Sequence, residues 1–100
     1  MRVLAIGRPR EGVDATTAIA ARAREEMRDL WQLYLDGSVR EAYSPGGPGA
    51  VFVLEAASVE AARDVLSELP LVADGIIEFE LIELRPFTAF ELLFSEESKG

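Results

Sequence analysis

The segment DGIIEFELIELRPF, Asp74 to Phe87, holds the densest chemistry in the chain. As a strand it carries Ile77, Phe79 and Leu81 on one face and Ile76, Glu78, Glu80, Ile82 and Leu84 on the other. A glutamate set among apolar side chains has its charged form disfavoured, so its pKa climbs toward the range a general base needs. Glu80, between Phe79 and Leu81, is the candidate base. Arg40, in the strand-like VREAY with Glu41 and Tyr43, is the candidate for stabilising the enolate that forms when a proton leaves the carbon next to a carbonyl. Trp31 and Tyr34, one helical turn apart, suit a pocket for a flat ring, and Tyr43 has a hydroxyl to offer a carbonyl. Arg8 and Arg10, in the loop RPREGV, match a carboxylate geometrically. The expected substrate-binding residues are therefore Trp31, Tyr43, Glu78 and Arg8, around the catalytic pair Glu80 and Arg40.

Each of these residues has a plainer reading. Glu78, Glu80 and Glu83 keep an edge strand soluble, with Arg40 as a surface or interface ion-pair partner. Trp31 and Tyr34 pack in a core, and arginines in loops are usually solvated. The glycine-rich SPGGPG is no phosphate loop, since no Lys-Ser or Lys-Thr follows it and no helix begins there.

What is missing narrows the chemistry further. The 100 residues include no cysteine and no histidine. That excludes disulfides, thiolate nucleophiles, the usual zinc sites, Ser-His-Asp triads and His-ligated haem. No cofactor is expected. A formal charge of −8 disfavours nucleic acid and anionic membranes as partners, because phosphate neutralisation needs a basic face. No apolar run approaches the roughly 18 residues of a membrane span, and MRVLAIGRPREG is too short for a secretory signal. A cytoplasmic protein is the expectation.

The elements that must position these residues follow from pattern. RVLAIG, residues 2 to 7, reads as a buried central strand closed by a glycine. Asp14 is a fitting N-cap for a long amphipathic helix, with Ile19, Ala23, Met27, Leu30 and Tyr34 as its apolar stripe and Ala20 and Trp31 beside them. That helix ends near Asp36-Gly37. VREAY and AVFVLEA, Ala50 to Ala56, form a hairpin around SPGGPG. Ser58 caps a second helix with Val59, Ala62, Val65, Leu66 and Leu69 on its apolar side, and Pro70 helps to stop it. The acidic strand from Ile76 to Leu84 comes last, then the apolar RPFTAFELLF. A single domain over residues 1–94 is expected, including the apolar segment 86–94, with residues 95–100 as a disordered tail.

The order β-α-β-β-α-β predicts an α+β fold of the ferredoxin-like kind: a four-stranded antiparallel sheet with two helices on one face. Right-handed crossovers put the first and third strands in the centre and leave the second and the acidic fourth at the edges. Yet both faces of the central strands are apolar, Leu4 and Ile6 as much as Val3 and Ala5, Val51 and Val53 as much as Phe52 and Leu54. The uncovered face and the three phenylalanines of the tail predict a two-fold homodimer in which open faces meet and tails cross, with larger rings as an extension.

LWQLYLDGSVREAY, VFVLEAASVEAARDVLSELPLVADGIIEFELIEL and the following RPF resemble the muconolactone isomerase-like group of the dimeric α+β barrel superfamily, over nearly the whole chain. The most specific piece is LSELPLVADG, where Leu-Pro-Leu leads from the second helix into the last strand. The resemblance implies association through the sheet, in some members into rings. It also implies a cofactor-independent isomerase, or a related proton-transfer enzyme, acting on a small lactone or carbonyl compound. Superfamily branches that use a histidine–aspartate pair or a histidine-ligated haem are excluded by the missing histidine. The rival reading is a non-catalytic module that binds a small hydrophobic ligand or serves in assembly.

Overall fold

Alternating apolar residues pair into one antiparallel sheet in the computed structural model, which describes residues 1–95. The strands are β1 (Arg2–Pro9), β2 (Val39–Tyr43), β3 (Ala50–Glu55) and β4 (Ile77–Leu84), in the order β2-β3-β1-β4. Helices α1 (Ala15–Leu35), α2 (Val59–Ser67) and the short α3 (Pro70–Ala73) complete the fold. The expected ferredoxin-like arrangement is present, with β1 and β3 central and the acidic strand at an edge. Capping follows the sequence reading. Asp14 accepts the Thr17 N–H and hydroxyl at 3.4 and 2.9 Å, and Ser58 accepts the Ala61 N–H at 3.0 Å.

The buried core consists of Val3 and Ala5 of β1, Val39 of β2, Phe52 and Leu54 of β3, Ala62 and Leu66 of α2, and Leu69. Ile77 is also buried, and Phe79 and Leu81 pack half-buried against this cluster, so β4 turns the predicted face to the helices. Three local expectations are corrected. β1 runs on through Arg8 and Pro9, because β4 is long enough to pair them with Glu78 and Ile77; Arg8 is therefore a strand residue. Pro70 opens α3 as well as ending α2, since its fixed φ suits a first helical turn. Finally, the inward side of α1 runs through Ile19, Ala23, Glu26, Leu30 and Leu33, while Met27, Trp31 and Tyr34 are at least half exposed. Ile19, Ala23 and Leu30 face inward as expected, while Glu26 and Leu33 take the places of Met27 and Tyr34, a roll of the stripe by about 40°.

The opposite face of the sheet is open. Cross-strand register places Val53, Leu4 and Ile82 in one row and Val51, Ile6 and Glu80 in the next. The tail leaves β4 without returning to it: Phe87, Phe90, Leu92, Leu93 and Phe94, on a 3-10 segment at Thr88–Phe94, are 64–83% exposed. The radius of gyration is 17.3 Å, against about 13 Å for a compact chain of this length. Most of the expected disordered tail, residues 96–100, lies outside the described residues.

Two glycines fix the start of the central hairpin. Gly49 sits at φ +123, and a Cβ there would overlap the carbonyl oxygen of Gly7 on the neighbouring strand. Because backbone rather than a flexible side chain blocks the space, Gly49→Ala should destabilise the protein by about 2 kcal/mol or more in urea unfolding. A loss of less than about 0.5 kcal/mol would show that the β3 entrance relaxes freely.

Candidate active site

The six residues singled out in the sequence fall into two groups at opposite edges of the sheet. Arg8, Glu78 and Glu80 lie on β1 and β4. Arg8 Nη1 donates to Glu80 Oε1 at 3.2 Å, and Arg10 Nε stands 3.9 Å from Glu78 Oε2. The Glu80 side chain is 56% exposed, so within the protomer it is a solvated ion-pair partner. Such pairs are worth about 0–1 kcal/mol. The other group, Arg40, Trp31 and Tyr43, belongs to the β2 edge, two strands beyond β1, so a single protomer does not bring Arg40 to Glu80.

Arg40 is the extra residue of a β-bulge between Val39 and Glu41, and its Nε donates to the Gly37 carbonyl at 2.9 Å. Trp31 stacks on Tyr34 with ring centroids 5.4 Å apart and planes 23° apart. The pair is on the outer shoulder of α1, so a core-packing role within the protomer is corrected. The Tyr43 hydroxyl donates to Glu41. Trp31, Tyr34, Arg40 and Tyr43 line a groove of about 670 Å³ between α1 and the β2 edge.

That groove adjoins a deeper cavity of about 450 Å³ between α1 and the sheet; Met27, Leu30, Ala42 and Tyr43 border both. Ile19, Phe52, Leu71, Ile77 and Phe79 give the cavity apolar walls, and the loop from Ser44 to Gly49 lies at its side. Ser44 Oγ accepts the Gly46 N–H at 3.3 Å, which leaves its own hydroxyl proton available to donate.

One acid lines this cavity, and the sequence reading passed over it. Glu26 is 7% exposed, the sole buried charged side chain among the described residues. Its Oε1 accepts the N–H of Leu71, in the first turn of α3, at 3.0 Å. Oε2 has no hydrogen-bond partner among the described residues and is not fully occluded. Burial raises the Glu26 pKa above its ordinary value. The Leu71 N–H and the charge of Arg22 oppose that rise, while Asp29 and Asp74 add to it. The sequence did carry a signal. Glu26 falls seven residues after Ile19 and four before Leu30, on one helical face with both, so an acid interrupts an apolar stripe.

Apolar walls, one desolvated carboxyl with a free oxygen, and a hydroxyl nearby are suited to moving a proton on a carbon acid. Among the described residues no three carboxylates converge as a metal ion would require.

No protein-family model matches the chain, and no curated protein matches it. Solved structures do. The 5-chloro-2-hydroxyhydroquinone dehydrochlorinase TftG from Burkholderia phenoliruptrix AC1100, in complex with 2,5-dihydroxybenzoquinone, matches with a TM-score of 0.69. The match covers 89% of this chain and 98% of that one at 13% identity. Muconolactone isomerase matches with a TM-score of 0.58 over 87% of this chain and 93% of its own, at 24% identity. What is shared at these identities is the fold. The chain has the ferredoxin-like α+β fold of these two proteins.

Glu26 should leave a mark on stability. The folded chain holds its proton more tightly than the unfolded chain does, so its stabilising contribution is complete below the ordinary carboxylate range and is lost as pH rises through the raised value. Asp36 and Glu55 act in the opposite sense: hydrogen bonds from Ser38 and from the N-terminal ammonium hold them low, so their contribution is lost as pH falls. Glu26→Gln keeps an acceptor for Leu71 but removes one titration. Its melting temperature relative to wild type should therefore rise between about pH 4 and about pH 7. A difference that does not change with pH would show that Glu26 is not desolvated.

Proposed function

We propose that the protein is a cofactor-independent proton-transfer enzyme acting on a small hydrophobic carbonyl compound, such as a lactone or a hydroxylated quinone, with Glu26 as its acid–base residue. The observation that carries this reading is the buried Glu26 carboxyl, which accepts the Leu71 N–H through Oε1 and lines an apolar cavity. The carboxylate takes a proton from the carbon beside the carbonyl, and the C–H electron pair becomes a C=C bond as charge moves to the carbonyl oxygen. The protonated Glu26 then returns the proton to a different carbon, which completes an isomerisation. In a chlorinated substrate the same electron pair would instead expel chloride, with overall loss of HCl. Neither route needs a redox partner. The two structural neighbours are named for these outcomes, an isomerase and a dehydrochlorinase, and this supports the choice of reaction class.

In this reading Ser44 offers a proton to the carbonyl oxygen, and Trp31, Tyr43 and Arg40 border the approach from the groove. Glu80 and Glu78 are edge residues. The working unit is a homodimer in a reducing cytoplasm, with open sheet faces apposed and each tail laid on the partner. A few hundred Å² of apolar surface removed from water would contribute several kcal/mol to that association, at about 25 cal/mol per Å².

The direct test follows proton exchange in heavy water for a panel of lactones and hydroxyquinones, with the reaction read by NMR. Wild-type protein should introduce deuterium next to the carbonyl of at least one compound, and Glu26→Gln should slow that exchange by about 10²-fold to 10⁴-fold while remaining folded. Undiminished exchange in Glu26→Gln would remove Glu26 from the mechanism. Absence of exchange across the panel, with ligands still raising the melting temperature, would favour a binding module instead. Solution mass should be about twice the 10.9 kDa of one chain, and removal of residues 86–100 should lower it toward the monomer.

A further inference from the structure

The β4 edge carries a second cleft that the proposed reaction does not use. It measures about 440 Å³, within the range of ligand sites, and its floor is apolar: Leu66, Val72, Ile77, Phe79 and Leu81. Three arginines line it, from three parts of the chain: Arg8 on β1, Arg10 just beyond β1, and Arg63 on α2. In a chain of net charge −8 with ten basic residues, three of them meet here. Two carboxylates face them. Glu80 engages Arg8 at 3.2 Å, Glu78 is 3.9 Å from Arg10, and Arg63 has no ion-pair partner among the described residues. The cleft therefore has one guanidinium in excess. The Ser67 hydroxyl is already donated to the Asp64 carbonyl at 2.8 Å, so the guanidinium groups are the side-chain donors left to an incoming anion.

We propose that this cleft binds a small amphipathic carboxylate, its anionic group on Arg63 with Arg8 or Arg10 and its apolar body on Phe79 and Leu81. A monoanion matches the single excess charge, and guanidinium groups pair with carboxylates through two parallel N–H donors. The apolar floor gives a benzenoid or branched aliphatic body an advantage over a bare inorganic ion. The site is distinct from the Glu26 cavity. Ile77 and Phe79 form the wall between the two, and Phe79 is held there by stacking on Phe52, with ring centroids 5.5 Å apart.

Titration of the full-length protein with benzoate, followed by amide correlation spectra, tests the assignment. Benzyl alcohol serves as the neutral analogue and sulfate as the anion without an apolar body. Benzoate should shift the signals of Leu66, Phe79 and Leu81 saturably, and both controls should bind at least about tenfold more weakly. Arg63→Gln should weaken benzoate by about fivefold or more, Arg63→Lys should recover part of that loss, and binding should weaken as salt rises from about 0.05 to about 0.5 M. Arg63 is exposed and unpaired, so both variants should melt as the wild type does. Glu26→Gln should bind benzoate unchanged, so loss of proton exchange and loss of this site are read separately. The proposal is overturned if Arg63→Gln binds benzoate like wild type, if sulfate binds equally well, or if benzoate shifts only signals around Glu26 and Ser44.

Discussion

One hydrogen bond sets the geometry of the helical layer: the N–H of Leu71 donated to the buried carboxyl of Glu26. It ties the middle of α1 to the short turn that delivers the chain into β4. An acid on the inward face of a helix must find a donor or be desolvated without compensation. A free N–H at the start of α3 is such a donor, since the first turn of any helix lacks internal acceptors. With Glu26 drawn inward, α1 is rotated so that Leu30 and Leu33 reach the core while Met27, Trp31 and Tyr34 face outward. The cavity, the perturbed carboxyl and the external aromatic pair thus share one cause. Around the same point Arg22 pairs with both Glu25 and Asp74, which neutralises part of the acid that would otherwise surround Glu26.

The second constraint is a shortage of cover. Two helices and a short turn shield one side of four strands, so Leu4, Ile6, Val51, Val53 and Ile82 stand on the other side in a continuous apolar field. A tail carrying Phe87, Phe90, Leu92, Leu93 and Phe94 leaves the same body uncovered. Two unpartnered apolar surfaces on one chain satisfy each other most simply in a second copy, which is why the proposed assembly and the proposed reaction belong to one picture. Charge is placed at the margins of the open field: Glu41 with Tyr43 at the β2 edge, Arg8 with Glu80 at the β4 edge, and Glu55 with Arg2 and the N-terminal ammonium at one end. Such pairs hold little energy individually. They define where the apolar field stops and keep unpaired edges soluble.

Element order, the antiparallel sheet and its strand order were legible from periodicity, because alternation of period two and capping side chains such as Asp14 and Ser58 act locally. It also separated Ile77, Phe79 and Leu81 from Glu78 and Glu80. The missing histidine and cysteine limit the chemistry to carboxylates, hydroxyls and arginines. The candidate site was legible only in part. Trp31, Tyr43 and Arg40 do share a groove, and Glu41 lines it with them; Glu26 lines the adjoining cavity, and Glu80 stands at the far edge with Arg8.

The reason lies in what each level of structure can decide. Sequence spacing says which residues share a face of a strand or a helix. It does not say how far a helix is rolled against a sheet, and a roll of less than one residue put Glu26 and Leu33 inward in place of Met27 and Tyr34, with Leu30 inward in both. That roll is set by packing against Phe52 and by a donor forty-five positions away at Leu71, neither of which a local pattern contains. Burial is likewise a property of the assembled layers. Glu26 and Glu80 are the same residue type, and only the helix–sheet contact removes water from one while the edge position leaves it on the other.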